Sequence, residues 1–472
     1  MKFEIKNIGR LDEAKLDIAN LTVICGPNNS GKTYATYALY GLLKTWAQST
    51  DFPHPMAVQA ALSLPQSGVL SIDLAKELLP TCEDYFTRWS QVYAGILPKV
   101  FASRQEYFSN SEVLFLPDGV KVDLSAEFNQ GVKVGTHTAL IFSKEKDSSI
   151  LVITRPSDTA KNVPNYAVAS IIDGVFRKLV WNQMVPDVYI SSTERTGAAV
   201  FHRSLNFARD KAMDALMQME SQKKQHDTEA FVTNLFLNHR SDYPMPVEEN
   251  VRLLGNLESI SKQKGEVASE HPEIIEALDE IVGGSYKSTK EGVFYFPKGT
   301  KVKLSMAESS SIVRSLLDFS FYLRHQLKAG DLLIMDEPEL SLHPENQRLL
   351  TRLLARLVNA GVKVLLTTHS DYIVRELNAL IVMKSLGECF VVQSKERGYD
   401  EGELLDSTLV RVYTAEEQKI KGSRKPIQTL VRRDVNPCEG MAIQSFDDQI
   451  EALNELQDAL ILAASEKEES PC

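Results

Sequence analysis

The sequence predicts an α/β protein with a mixed β-sheet flanked by helices. Two buried strand-like runs, residues 331–337 and 362–368, are separated by one amphipathic helix, and a third apolar run, LTVIC at 21–25, precedes another helix. Runs without polar alternation are typical of strands covered on both faces. Their alternation with helices indicates parallel pairing within one sheet.

The remaining elements follow from local patterns. Residues 1–25 read as strands, residues 33–46 as a helix, and the polar, charged stretch from 206 to 280 as helical. Residues 311–327 place apolar side chains on one helical face. The chain is therefore predicted to have four parts: an N-terminal part of the main domain with an antiparallel β region (1–205), a helical insertion (206–290), a C-terminal part of the main domain (291–400), and a small C-terminal α/β extension with a charged tail (401–472).

Composition limits the classes of partner. The net charge of -11 argues against a protein that coats nucleic acid over its whole surface. The five cysteines are scattered without a CxxC pair, which fits a reducing cytoplasm. The N-terminus lacks the apolar core of a signal peptide, and the longest uncharged run, residues 52–72, contains three prolines. We therefore expect a cytoplasmic protein without a membrane partner.

The segment GPNNSGKT has the spacing GxxxxGK[ST] of a phosphate loop and lies between an apolar strand and a helix. The glycines allow the tight loop whose N–H groups surround phosphates, Lys32 can reach the β- and γ-phosphates, and the Thr33 hydroxyl can bind Mg²⁺. An ordinary Gly/Asn turn is the alternative. The residues predicted to bind nucleotide here are Gly26, Pro27, Asn28, Asn29, Ser30, Gly31, Lys32 and Thr33.

The run LLIMDEPE supplies a second half for such a site. Asp336 ends an apolar strand and can hold Mg²⁺ directly or through water. Glu337 follows and is predicted to orient and deprotonate the attacking water. An acidic pair that merely ends a strand is the alternative, but it is less favoured in a chain that already has a phosphate loop.

One helix later, THSDY follows the next buried strand. His369 stands where it could contact the γ-phosphate or the water, although a lone histidine is more often structural. Between the two motifs, residues 341–343 (Ser-Leu-His) form a turn that either contacts a facing subunit or caps the following helix.

In this order, GPNNSGKT, MDEPE, LSLHP and THS resemble an ABC-type ATPase head of the group that includes SMC, RecF and OLD-family ATPases. The resemblance covers the first 45 residues and residues 300–375 well and is weaker elsewhere. It implies that ATP and Mg²⁺ are the ligands and that two heads dimerise around two ATP molecules.

In that family a signature segment before the acidic strand binds the γ-phosphate of ATP held by the opposite subunit. AESSSIVRS occupies this position here, without the glycine pair of the common LSGGQ-type sequence. Ser309, Ser310 and Ser311 stand in its place, and hydroxyls with helix N–H groups can donate to phosphate. Simple helix capping by serine is the alternative.

The segment YISSTERTGA also resembles defence ATPases of this group. It makes Arg195 a candidate for contacting phosphate or for coupling the site to the insertion, against the alternative of a surface arginine. Gln183 is a weaker candidate for the family's water- or metal-contacting glutamine.

Full OLD nucleases carry a TOPRIM nuclease domain after the head, but beyond residue 375 this chain has no DxD pair. It therefore looks like a standalone anti-phage defence ATPase of the Septu, retron-associated or PARIS-like kind, with a separate nuclease or toxin as effector. The alternative is a RecF- or SMC-like DNA-repair ATPase that clamps DNA, for which the basic stretch 419–433, with Arg432 and Arg433, is the best candidate surface. A transporter subunit is disfavoured by the distance between the two ATP motifs.

Overall fold

The computed structural model describes ten stretches of the chain, to which all structural statements refer: residues 1–49, 52–64, 68–134, 137–156, 163–202, 243–289, 291–387, 394–419, 425–443 and 453–461. Three predicted features lie partly or wholly outside them. These are the first part of the helical insertion (206–242), residues 420–424 of the basic stretch and the charged tail after residue 461.

Strands are numbered along the described chain. They are β1 Lys2–Ile8, β2 Leu11–Asp17, β3 Leu21–Cys25, β4 Gly68–Asp73, β5 Glu112–Leu116, β6 Phe128–Val134, β7 His137–Lys144, β8 Ile150–Arg155, β9 Val188–Ser191, β10 Gly284–Thr289, β11 Gly292–Pro297, β12 Leu304–Ser305, β13 Leu332–Asp336, β14 Lys363–Thr368, β15 Val410–Gln418, β16 Ile427–Arg433, β17 Val435–Asn436 and β18 Gly440–Met441.

The α-helices are numbered in the same way. They are α1 Lys32–Gln48, α2 Pro55–Ser63, α3 Cys82–Ala94, α4 Leu97–Val100, α5 Asn165–Phe176, α6 Asn182–Met184, α7 Met245–Gly255, α8 Leu257–Ile260, α9 Glu266–Glu270, α10 Pro272–Val282, α11 Ser311–Ser315, α12 Leu317–His325, α13 Pro344–Asn359 and α14 Asp371–Leu386.

A nine-stranded mixed sheet with the order β5-β1-β2-β16-β15-β3-β14-β13-β9 positions the site. The five strands β15, β3, β14, β13 and β9 run parallel to one another. Antiparallel pairing joins β1 to β2 and β5, and β15 to β16. The predicted α/β class with a mixed sheet is confirmed, and five carboxyl-terminal strand ends meet at one edge.

Both faces of this sheet are covered. Along β13, Leu332 and Ile334 belong to one apolar core, whereas Leu333 and Met335 belong to a second core. All four side chains are fully buried. This explains why β13 reads as an uninterrupted apolar run, since neither set of alternate side chains meets water.

Among the described residues, three smaller sheets accompany the large one, with the orders β4-β8-β7-β6, β10-β11-β12 and β17-β18. The short run KVKL at 301–304 predicts a strand, but only Leu304–Ser305 forms one. The single helix predicted over 311–327 is also wrong. It is divided into α11 and α12 at Leu316, whose φ of -104° and ψ of 5° leave the helical region.

The C-terminal part of the chain enters the large sheet. Strand β15 lies between β3 and β16, and β16 in turn pairs with β2. The predicted boundary at residue 400 therefore does not coincide with an edge of the sheet. Among the helices of the described stretches, none has both the length and the apolar character needed to cross a membrane.

Candidate functional site

The loop between β3 and α1 has a shape that its glycines make accessible. Gly26 and Gly31 have φ angles of 146° and 98°. A Cβ atom on Gly26 would lie 2.9 Å from the Cβ of Ala415 in β15, and one on Gly31 would lie 2.7 Å from Leu11 Cγ. Side chains at either position would strain the backbone and collide with neighbours, so the loop requires glycine at both.

Several hydrogen-bond donors in and just after this loop have no partner among the described residues. The hydroxyl of Ser30 is buried and has no hydrogen-bond partner within the described residues. Helix α1 begins at Lys32 without a side-chain cap on its first N–H groups, and its first turn contains no acidic residue. Uncapped N–H groups at the start of a helix bind anions, and this arrangement therefore suits phosphate.

Lys32 points back into the loop. Its Nζ donates to the carbonyl oxygens of Gly26 at 3.1 Å and Pro27 at 2.9 Å. Burial lowers the pKa of this ammonium group, while the nearby carboxylates of Glu337 and Asp336 raise it. An entering phosphate would replace weak neutral acceptors with charged ones, which bind an ammonium group more strongly.

Asp336, at the carboxyl end of β13, is fully buried. Its Oδ1 accepts a hydrogen bond from the Thr367 hydroxyl, whereas Oδ2 has no partner among the described residues. Burial raises the pKa of this carboxyl group to about 6, while the nearby hydroxyls of Thr367 and Thr33 oppose that shift. An unpartnered buried oxygen beside a threonine hydroxyl fits Mg²⁺, which commonly uses one carboxylate together with substrate phosphates.

This raised pKa gives a testable prediction for the ligand-free protein. A carboxyl group whose folded pKa lies near 6, against an ordinary 3.8, contributes stability below pH 4 that is lost as the pH rises through 6. We expect Asp336→Asn to raise the free energy of unfolding at pH 8 by about 2–3 kcal/mol, since two pKa units correspond to that energy. Thermal melts without nucleotide or Mg²⁺ measure it.

The gain should shrink when the same melts are made at pH 5. Asp118→Asn serves as the control, because Lys2 lowers the pKa of that exposed carboxyl group and its removal offers no such gain. A gain from Asp336→Asn that is equal at pH 5 and pH 8 would contradict the assignment to ionisation.

Three predicted site residues meet in one chain of contacts. The Nε2 of His369 lies 2.8 Å from Lys32 Nζ and 3.0 Å from Glu337 Oε1. A single ring nitrogen either accepts from the lysine or donates to the carboxylate, so only one of these contacts is a hydrogen bond at a time. The contact with His369 lowers the pKa of Glu337, which keeps this carboxylate ionised and able to accept a proton.

Three further polar residues that the sequence did not single out position this group. The Thr367 hydroxyl accepts from the backbone N–H of Glu337 at 3.1 Å. Glu339 Oε1 accepts from the Thr368 hydroxyl at 2.9 Å and from the backbone N–H of His369. Burial raises the pKa of Glu339, whose Oε2 has no partner among the described residues. The signal was present in TTHS, where two hydroxyl side chains end a fully buried strand.

Arg195 and Gln183 lie in different surroundings, and their predicted roles stay predictions. Arg195 is 1% exposed and donates to the carbonyl oxygens of Asp336 and Glu337, so its guanidinium group is engaged behind the acidic pair instead of facing open space for a phosphate. Gln183 is exposed and exchanges hydrogen bonds with the backbone of Asp123. The proposed contact of Gln183 with water or metal therefore gains no support from its surroundings.

The three serines do not behave alike. Ser309 is buried, and its hydroxyl donates to the Ser305 carbonyl oxygen at 2.7 Å, which removes it as a donor for phosphate. Ser310 is the N-cap residue of α11, but its side chain makes no capping hydrogen bond. Ser310 and Ser311 are exposed. The predicted trans contact therefore remains available to these two residues.

The turn at 341–343 exposes both of its polar side chains. Ser341 has a φ of 65°, in the left-handed region. His343 caps α13, since its Nδ1 accepts from the backbone N–H of Glu345 at 3.4 Å. The capping alternative thus applies to His343, while the predicted contact with a facing subunit stays a prediction.

The two arginines in the described part of the basic stretch are paired with carboxylates. Arg432 pairs with Asp17 at 3.0 Å, and Arg433 pairs with Glu416 and also donates to the Thr414 hydroxyl at 2.8 Å. Both arginines lie in β16, inside the large sheet. Paired arginines release fewer phosphate-bound counterions, so this surface is weaker for DNA than the bare sequence suggests.

Three features define a nucleotide-binding protein with a phosphate loop. They are the loop that requires glycine at two positions, the uncapped start of α1 and the acidic residue at the end of β13. The chain belongs to the AAA ATPase domain family, whose profile matches residues 1–115 and 199–374, more than half of the sequence. A comparison with curated proteins gives no match.

Solved structures provide three distant likenesses. An Smc head bound to the C-terminal winged-helix domain of ScpA is 10% identical, with 92% of this chain and 97% of that chain covered and a TM-score of 0.34. A Pyrococcus furiosus Smc head domain with an extended coiled coil, bound to the C-terminal domain of ScpA, is 12% identical, with 97% and 98% covered and a TM-score of 0.31. The SMC head domain from Thermotoga maritima is 10% identical, with 92% and 98% covered and a TM-score of 0.30.

Proposed function

We propose that this chain is a Mg²⁺-dependent ATPase that dimerises head to head around ATP and controls a separate nuclease or toxin in a bacterial antiviral defence system. The contact chain from Lys32 through His369 to Glu337 carries the hydrolysis part of the proposal. It brings a phosphate-binding cation, a polar ring and an ionised carboxylate together at the carboxyl ends of β3, β14 and β13.

The chemistry follows from these residues. The N–H groups of the loop and Lys32 Nζ bind the phosphates, and Glu337 accepts a proton from the water that attacks the γ-phosphorus. Thr33 and Asp336 would hold Mg²⁺, which supplies charge neutralisation to the β- and γ-phosphates. His369 Nε2 changes partner from Lys32 to the γ-phosphate or to Glu337 once Lys32 turns towards the nucleotide.

Dimerisation is assigned to the exposed pair Ser310 and Ser311, which would donate to the γ-phosphate held by a second copy. ATP would then join two heads, and hydrolysis would release them, so that nucleotide state sets assembly state. The effector part rests on the sequence resemblance to defence ATPases. The DNA-clamping alternative has no specific observation in its favour within the described residues, because Arg432 and Arg433 are paired.

Ser310→Arg tests the dimer contact. We expect the monomer to bind ATP with unchanged affinity, while ATP-driven dimerisation is lost and hydrolysis falls by about 10-fold or more, since a bulky cation replaces a phosphate donor in the interface. Light scattering with ATP and a phosphate-release assay measure both. Ser385→Arg, at an exposed serine on the last turn of α14, is the matched control. Wild-type hydrolysis by Ser310→Arg would show that the serines only begin a helix.

Co-purification tests the effector. The tagged chain, expressed with the proteins encoded beside its gene, should retain a nuclease- or toxin-like protein in a nucleotide-dependent manner. Salt-sensitive DNA binding by the chain alone, abolished by reversing the charges of Arg432 and Arg433, would instead favour DNA clamping.

A further inference from the structure

A buried arginine holds the two peptide groups that flank Glu337. Arg195 Nη1 donates to the Asp336 carbonyl oxygen at 2.7 Å and to the Ser192 carbonyl oxygen at 2.9 Å. Its Nη2 donates to the Glu337 carbonyl oxygen at 2.6 Å. The Asp336 and Glu337 carbonyl groups belong to the peptides before and after the Glu337 Cα atom, so one guanidinium fork fixes both backbone rotations at this residue.

The backbone held in this way is unusual. Glu337 has a φ of 48°, a left-handed conformation that is uncommon for a residue with a side chain. Such conformations persist when the surrounding structure determines them. Here the Thr367 hydroxyl holds the Glu337 N–H, and Arg195 holds the two carbonyl groups. Together they set the direction of the Cα–Cβ bond and thus the position of the carboxylate beside His369.

Asp318, fully buried on α12, supplies the opposite charge. Its Oδ2 accepts from the Tyr189 hydroxyl at 2.8 Å and the Ser191 hydroxyl at 2.9 Å. Burial raises the pKa of Asp318, and the electrostatic attraction of Arg195 opposes that shift. A buried arginine without a nearby carboxylate would be costly, so Asp318 allows Arg195 to stay charged behind the acidic strand end.

We propose that Arg195, with Asp318 as its counter-charge, is a positioning residue that sets the catalytic geometry of Glu337 without touching ATP. This inference rests on the proposed ATPase function and deepens it. It also links two parts of the site through the attraction between two buried charges, since α12 follows the segment that carries Ser310 and Ser311, whereas the two carbonyl groups flank the general base.

Arg195→Lys tests the proposal, because a lysine keeps the charge but cannot grip two carbonyl groups with a planar fork. We expect kcat to fall by about 10- to 100-fold, the loss that follows from misplacing a reacting group by about 1 Å. KM and the affinity for ATP should change by less than about twofold, because the phosphate loop is untouched. Arg375→Lys, at an exposed arginine on α14 paired with Asp371, is the matched control.

A double-mutant cycle separates positioning from general stabilisation. If Arg195 acts through Glu337, then adding Arg195→Lys to Glu337→Gln should cost less than about twofold in residual turnover, since the carboxylate to be positioned is already gone. A merely structural role would lower turnover by the same factor in both backgrounds. The inference would be overturned if the losses of turnover from Arg195→Lys and Glu337→Gln multiply in the double variant. A wild-type kcat for Arg195→Lys would also overturn it.

Folding is checked by thermal melts of each variant. If Arg195→Lys does not fold, Asp318→Asn carries the same cycle, and losses that multiply there overturn the proposal as well. Failure of the proposed ATPase function can be told apart from failure of the inference about Arg195. Glu337→Gln at wild-type turnover, or a wild-type chain that does not hydrolyse Mg-ATP, would overturn the proposed function and this inference together. If Glu337→Gln turns over ATP slowly but Arg195→Lys keeps full activity, only the inference about Arg195 is overturned and the proposed function stands.

Discussion

Glu337→Gln is expected to bind ATP, to hydrolyse it about 10²- to 10⁴-fold more slowly, and to accumulate as the ATP-joined dimer, because the amide cannot accept the proton of the attacking water. The carboxylate that is replaced lies 3.0 Å from His369 Nε2, and that contact lowers its pKa. Its ionised form is therefore the dominant one at neutral pH. Single-turnover hydrolysis and light scattering with ATP measure the rate and the assembly.

Glu339→Gln offers a close comparison, since it makes the same chemical change two residues later. The Glu339 side chain accepts from the Thr368 hydroxyl and the His369 N–H, and glutamine retains an oxygen acceptor for both. We expect a far smaller loss of hydrolysis there. Equal losses in the two variants would argue that Glu337 and Glu339 act as a unit and would remove the assignment of Glu337 alone as general base.

Lys32→Ala is expected to weaken ATP binding by at least about 100-fold, because charge-assisted hydrogen bonds to the phosphates are lost. In the free protein, Lys32 contacts two loop carbonyl groups and His369, so its removal also leaves the His369 ring without one neighbour. Titration with a fluorescent ATP analogue measures the affinity.

The matched control lies on the same helix. Lys44→Ala removes an ammonium group that pairs with Glu249 at 3.1 Å, near the other end of α1. It should leave nucleotide affinity at the wild-type level. Hydrolysis that persists in Lys32→Ala would show that the segment GPNNSGKT is not the phosphate loop.

Local signals accounted for most of the candidate site. The phosphate loop, Asp336, Glu337 and His369 each follow an apolar strand, and parallel strands bring their carboxyl ends to one edge. For this reason the sequence alone predicts that Lys32, Glu337 and His369 lie close together. The mixed sheet follows from the same runs.

Other roles depended on contacts that no local pattern contains. Two of the three partners of Arg195 are the carbonyl oxygens of Asp336 and Glu337, far along the chain, and every residue has a carbonyl group. Asp318 reads as one polar position on an amphipathic helix, although it is fully buried and binds two hydroxyl groups. The hydroxyl of Ser309 is used within its own turn, which a count of serines could not reveal.

The position of β15 was also beyond local reasoning. Periodicity identifies a strand but not its neighbours in the sheet. The sequence therefore predicts only a C-terminal extension after residue 400. In the structure these residues supply the neighbour of β3 on one side, with Ala415 packed where a side chain at Gly26 would have to stand.

That strand order has a consequence for biosynthesis. Strand β3 is made before its two partners, β14 and β15, which begin at Lys363 and Val410. During translation its apolar residues and both hydrogen-bonding edges stay unpaired until these two strands have left the ribosome. Unpaired edges of this kind favour slow folding and association with other chains. The loop after β3 therefore lacks the support of β15 until residues from Val410 onward have been made, and we expect a fragment that stops before Val410 to bind nucleotide poorly.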